Sequence, residues 1–127
     1  MVVNKIVVLD SNIIIYTGLR EHSQLRNWLK SKKLFVSVIS QLEVLGYHKL
    51  VSKDRRYFES FLKQCELVPI YPEIINVAVN FRQQKKMSVG DAIIASTALY
   101  HKQALVTANI KDFEHISNID LINPLDQ

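Results

Sequence analysis

The chain has 127 residues, 48% hydrophobic and 22% charged, which suits one compact domain over residues 1–127 whose core forms without staples. Its single cysteine, Cys65, excludes an internal disulfide and a cysteine-built zinc site, and suits a cytoplasmic, reducing home. The formal charge of +4 mildly favours an anionic partner such as nucleic acid.

Residues 5–9, Lys-Ile-Val-Val-Leu, read as a fully buried strand. The apolar start is too short for a signal segment or for a membrane span of roughly 20 residues, so no membrane association is expected. Residues 11–17 begin a helix, and 21–32 are a better helical candidate. A second strand is expected over 34–38, helices over 40–50 and 53–65, and a third strand over 67–70. Pro72 suits the first position of a helix running to about residue 86, because its missing N–H is not needed there. The strongest helix is 88–102. Its small residues Ala92, Ala95, Ser96 and Ala98 allow close approach, and its apolar content spreads around most of the cylinder, so it should be central and buried. Strands follow over 104–107 and 120–122. No repeat, low-complexity tract or linker interrupts the series. Strands alternating with helices imply an α/β fold with a mostly parallel sheet covered on both faces. Ligands in such folds bind beyond the carboxyl ends of the strands.

Four acids fall at the matching points of the chain. Asp10 directly follows the first strand, Glu43 lies just past the second, Asp91 stands in the first turn of the central helix, and Asp112 follows the fourth strand. Each has a plain structural reading. Ser40-x-x-Glu43 has the spacing of a capping box, Ser88-x-x-Asp91 a related one, and Asp10 and Asn109-x-x-Asp112 suit helix starts. Taken together, however, a parallel sheet could gather all four at one edge. Gathered carboxylates repel one another. A hard divalent cation such as Mg²⁺ or Mn²⁺ reverses that, preferring oxygen ligands and retaining waters. Such an ion polarises a phosphoryl oxygen and ionises bound water near neutral pH.

The same segments resemble a family. Leu9-Asp10-Ser11-Asn12 looks like the opening motif of PIN domains, and Ser40-Gln41-Leu42-Glu43 is similar to their second block. Gly90-Asp91-Ala92-Ile93-Ile94-Ala95 closely resembles the third, and Thr107-Ala108-Asn109-Ile110-Lys111-Asp112-Phe113 the fourth. The short length is similar to that of the VapC toxins of VapBC toxin–antitoxin pairs. The resemblance implies a three-layer α/β/α fold and an endoribonuclease dependent on Mg²⁺ or Mn²⁺. Asp10, Glu43 and Asp91 would ligate the metal with Asp112 assisting, supported by Ser11, Asn12, Thr107 and Asn109. Some relatives carry Asp where Asn109 stands; Asp112 is preferred here as the fourth acid because it keeps the charge. The resemblance further implies structured RNA substrates (tRNA or ribosomal RNA), a small VapB-like antitoxin that occludes the site, and a homodimer.

Three basic clusters stand out. Lys30/Lys32/Lys33 and Lys85/Lys86 lie near expected helix ends, where the dipole favours cations, so solvated helix ends are the simpler reading. Lys53/Arg55/Arg56 opens a helix and is the better candidate for RNA or a partner. The four histidines show no metal-ligand spacing. Trp28, Phe35, Phe58, Phe61 and Phe81 lie on periodic faces and suit the core better than base stacking, and Cys65 reads as a small buried hydrophobe. The competing readings are a PIN-like RNA-processing nuclease without a toxic role, and a binding module with a degenerate site. A phosphatase would want Asp where Asn12 stands, and a dinucleotide-binding domain a glycine-rich loop after the first strand.

Overall fold

The computed structural model describes residues 5–125. In chain order the elements are β1 (Lys5–Leu9), α1 (Ser11–Thr17), a 3₁₀ turn (Arg20–His22), α2 (Ser23–Lys30), β2 (Lys32–Ser37), α3 (Val38–Leu45), α4 (Ser52–Lys63), β3 (Glu66–Val68), α5 (Pro72–Gln84), α6 (Val89–His101), β4 (Ala104–Val106), a second 3₁₀ turn (Ile110–Asp112) and β5 (Leu121–Ile122). The expected elements are all present. Most boundaries move by one or two residues, but α3 is shorter than expected and starts earlier.

The five strands form one sheet in the order β3-β2-β1-β4-β5. Every pairing is parallel, so all five carboxyl ends lie along one edge. Side chains alternate across a strand, and β1 shows the consequence. Val7 and Leu9 enter one core with Ile13, Leu25, Val44 and Phe58. Val8 enters the opposite core with Ile94, Leu105 and Phe113. Helices α1, α2 and α4 cover the first face, and α6 covers the second with α5 packed outside it through Ile74, Ala78, Ala92 and Ile93. Complete burial of an aliphatic side chain contributes roughly 1.5–3 kcal/mol. The central strand, buried on both faces, is therefore the anchor of the fold.

Helix α6 is buried from Ala92 through Ala98, as its all-round apolar pattern requires. Helix α3 packs toward both layers: Val44 joins the first core, while Ile39 rests against the second. It therefore crosses the edge where the strands end. Among the described residues no helix is long and apolar enough to cross a membrane.

Candidate active site

The site begins where β1 stops. Asp10 holds an extended backbone (φ −71°, ψ 150°), its N–H donates to the Val106 carbonyl at 3.0 Å, and its own carbonyl accepts the first bond of α1 from Ile13 at 3.1 Å. The backbone thus does the capping expected of this residue, and the side chain makes no cap bond. The carboxylate instead accepts a 2.8 Å hydrogen bond from Thr107 Oγ1, just past β4. Thr107 Oγ1 in turn accepts from the Asn109 N–H at 3.0 Å. Asp10 is only 3% exposed. Burial pushes its carboxyl above the usual range, repulsion from Glu43 and Asp112 adds to that, and the bonds from Thr107 and the Ser11 N–H oppose it.

Glu43 corrects one expectation. The capping residue of α3 is Ser37, whose hydroxyl accepts from the Ile39 N–H at 3.2 Å, so Ser40 and Glu43 lie inside the helix and form no capping box. The physical reason is that β2 ends one residue earlier than expected, at Ser37, and α3 starts directly after it. Ser40, fully buried, lies 2.9 Å from Ser11 Oγ, and Ser11 Oγ lies 2.7 Å from Glu43 Oε1. A hydroxyl has one proton and an ionised carboxylate only accepts. Ser11 therefore donates to Glu43, and Ser40 donates to Ser11.

Asp91 sits in the first turn of α6, where the capping expectation holds: its N–H donates to Ser88 Oγ at 3.0 Å. Its carboxyl is pushed up to about 6, first by burial and then by Asp10 and Asp112, with Glu43 adding. All four acids therefore act on one electrostatic centre, which no single cap explains. They do not converge tightly. Among the described residues no three acidic, histidine or cysteine side chains are gathered closely enough to hold an ion by themselves.

Asp112 is exposed and ends the second 3₁₀ turn. Its N–H donates to the Asn109 carbonyl at 3.0 Å, and the Asn109 side chain makes no cap bond. Asn12 is exposed on α1, and no hydrogen bond ties it to the acids among the described residues.

Sequence reasoning missed three contributors. Ser40 is the buried end of the relay to Glu43. Gly90 is the second: a Cβ there would lie 2.5 Å from Glu43 Oε2, so a side chain at this position would require the Glu43 carboxylate to shift. Its signal was legible, since a glycine inside a helix costs about 1 kcal/mol against alanine and needs a packing reason. Lys111 is the third. With Lys85, Lys86, Ser88, Asp91 and Asp112 it lines a cleft of about 420 Å³ beside the acids. On the far side of Glu43 lies a groove of about 500 Å³ walled by Ile15, Leu19, Val44, Tyr47, Leu50 and Phe58, with Lys53 at its margin. The other bland readings fare well: Phe58 is core, Trp28 and Phe61 pack against it, and the partly buried Cys65 thiol is pushed up to about 12 by desolvation.

A family model described as the PIN domain matches residues 7–119. The chain belongs to the PIN-domain family. Among its relatives is a protein named Ribonuclease VapC2 from Rickettsia felis, 29% identical, the alignment covering 93% of this chain and 97% of the relative. Among solved structures it is similar to a chain of a toxin–antitoxin complex from Klebsiella pneumoniae, 28% identical with a TM-score of 0.75, covering 93% of this chain and 97% of that one. It is also similar to a chain of VapBC2 from Rickettsia felis bound to a DNA fragment from its promoter. That chain is 25% identical with a TM-score of 0.81, covering 93% of this chain and 98% of that one. The PIN-domain match spans Asp10, Glu43, Asp91 and Asp112 alike.

Proposed function

We propose that this PIN-domain protein is an endoribonuclease of the VapC kind, the toxin of a toxin–antitoxin pair, and that it cuts structured RNA such as tRNA or ribosomal RNA with Mg²⁺ or Mn²⁺. The observation that carries the reading is that Asp10, Glu43, Asp91 and Asp112 all lie at the carboxyl edge of a parallel sheet, near enough for the other three to add to the burial that raises Asp91 to about 6. Holding several carboxylates together without a cation is costly, and sites of this kind are built for a task.

The donor set fits a hard divalent ion in kind and in looseness. All ligands offered are carboxylate oxygens, and such an ion keeps several waters and needs few direct protein ligands. Asp10, Glu43 and Asp91 would hold it, with Asp112 reached through water. When bound, the ion neutralises charge on a phosphoryl oxygen and makes hydroxide available near neutral pH.

The chain's own residues orient this set. Thr107 fixes one oxygen of Asp10. The Ser40–Ser11 relay does the same for Glu43. Ser88 stiffens the first turn that carries Asp91. Since every acid is set by a strand end or a helix, little reorganisation remains when RNA arrives.

The partner reading rests on the relatives being VapC proteins and chains of toxin–antitoxin complexes, and on the groove beside Glu43. A VapB-like antitoxin segment laid along Ile15, Leu19 and Tyr47 would cover apolar surface and close the site at its Glu43 end. A homodimer is supported by a second exposed apolar face, Ile75 and Val79 on α5 beside Val89 on α6.

The test is cleavage of total RNA by partner-free protein with Mg²⁺, Mn²⁺ or EDTA, beside Asp91→Asn. Discrete fragments that need metal and vanish in the variant are expected. Folded protein that cuts no RNA with either metal would overturn the reading in favour of a binding module.

A further inference from the structure

Building on the nuclease reading, we propose that Lys85, Lys86 and Lys111 form the seat of the RNA backbone, gripping phosphates beside the one to be cut. The three lysines line one cleft with Ser88, Asp91 and Asp112. They come from separate segments, the α5–α6 connection and the 3₁₀ turn after β4, and all are exposed. The ion pairs found among the described residues, Lys33–Glu66 and Arg55–Glu59, involve none of them. Among the described residues, therefore, none of the three is held in an ion pair.

The lysines are also held in place. Each segment runs straight into a buried apolar residue, Met87 after Lys86 and Phe113 after Asp112, and both anchors belong to the same core cluster. Arg82 Nε donates to the Met87 carbonyl at 3.1 Å, tying the connection back to α5. Lys85 is the cap of α5, so the helix dipole favours a cation there, but it does not account for the cleft, which a lysine from another segment completes. Lys111 belongs to a three-residue turn. A cleft lined by three cations together with Asp91 and Asp112 fits a polyanion whose backbone must be drawn toward other negative charges.

The experiment uses a fluorescent single-stranded RNA oligonucleotide in EDTA. Binding is measured by anisotropy from low to moderate salt for wild type, Lys85→Gln/Lys86→Gln/Lys111→Gln, and Lys30→Gln/Lys32→Gln/Lys33→Gln. The second variant makes the same charge change at the opposite end of the sheet, where β2 begins. The cleft variant is expected to weaken binding roughly tenfold or more and to flatten the slope of log Kd against log salt by about 2, the value for three lost phosphate contacts on a single strand. With metal it should raise KM while kcat stays within about twofold. The remote variant should stay within about twofold in both assays. Equal losses in the two variants would mean bulk charge alone, and unchanged binding in the cleft variant would remove the seat; either overturns the proposal. So would displacement of the RNA by poly-L-glutamate at equal charge concentration. Metal-dependent cleavage by wild type with an unchanged KM in the cleft variant would sink this proposal and leave the nuclease reading standing. Absence of any cleavage by wild type would sink both.

Discussion

On one side of Asp91 and Asp112 the wall of the site is Lys85, Lys86 and Lys111. On the far side of Glu43 it is Ile15, Leu19, Tyr47 and Phe58. Both surfaces touch the same carboxylate centre, but they are built differently. The lysine wall consists of two connecting segments pinned into the core over one face of the sheet. The apolar wall joins residues of α1, α3 and α4 to the connections that follow α1 and α3, backed by the core over the other face. Charge acts at range and weakens with salt, whereas apolar surface acts on contact and is little affected by salt. A site flanked in this way can attract a polyanion from one side and be covered by a partner from the other.

The largest expected effect lies at the shared centre. Asp10→Asn and Asp91→Asn should each lower RNA cleavage by on the order of 10²–10³-fold or more, since each removes a charge the metal needs. Single-turnover cleavage would measure it, and near-normal rates in either variant would remove that acid from the site. Gly90→Ala should come next, with a loss of roughly tenfold to a hundredfold, because the new methyl group must displace the Glu43 carboxylate. A folded Gly90→Ala protein with full activity would show that Glu43 can yield without cost.

The groove supplies the third test. Leu19→Arg should weaken the antitoxin about 30-fold, equivalent to about 2 kcal/mol, with little change across salt concentrations. Cleavage by the partner-free protein should change less than twofold. A loss of RNA affinity equal to that of the lysine variant would erase the contrast between the two walls.

The smallest effect concerns stability. The Asp91 carboxyl is raised in the folded protein to about 6, from an ordinary value of 3.8. Between those values the folded state binds more protons than the unfolded one, so stability falls as pH rises and levels off above about 6. Metal-free Asp91→Asn should therefore melt a few degrees above wild type at pH 7.5 and show almost no gain at pH 4. Added Mn²⁺ should raise wild type more than the variant. A constant difference across pH would mean that Asp91 carries no such penalty.

Much of this was legible in the residues. A strand with four apolar residues in a row and a helix rich in alanine can satisfy their patterns in few ways, so β1 and α6 followed from period and composition. The four acids were marked by their places just after strands or at helix starts, and a parallel sheet puts such places on one edge. The start of α3 was misplaced because Ser37 and Ser40 are equally good caps locally, and pairing of Ser37 with Val68 decided between them. Lys85 and Lys86 do stand at a helix end; that they also share a cleft was hidden because the lysine that completes it is distant in the chain.

The sequence by itself determined the order of elements, the parallel sheet and the identity of the acids, because periodicity, capping chemistry and apolar runs are local properties of the chain. Only the tertiary structure decided that Ser11 serves Glu43, that Gly90 makes room for a carboxylate, and that cations line one flank and apolar residues the other. Those are contacts between segments far apart in the chain, and their distances follow from how two cores pack against the two faces of one sheet.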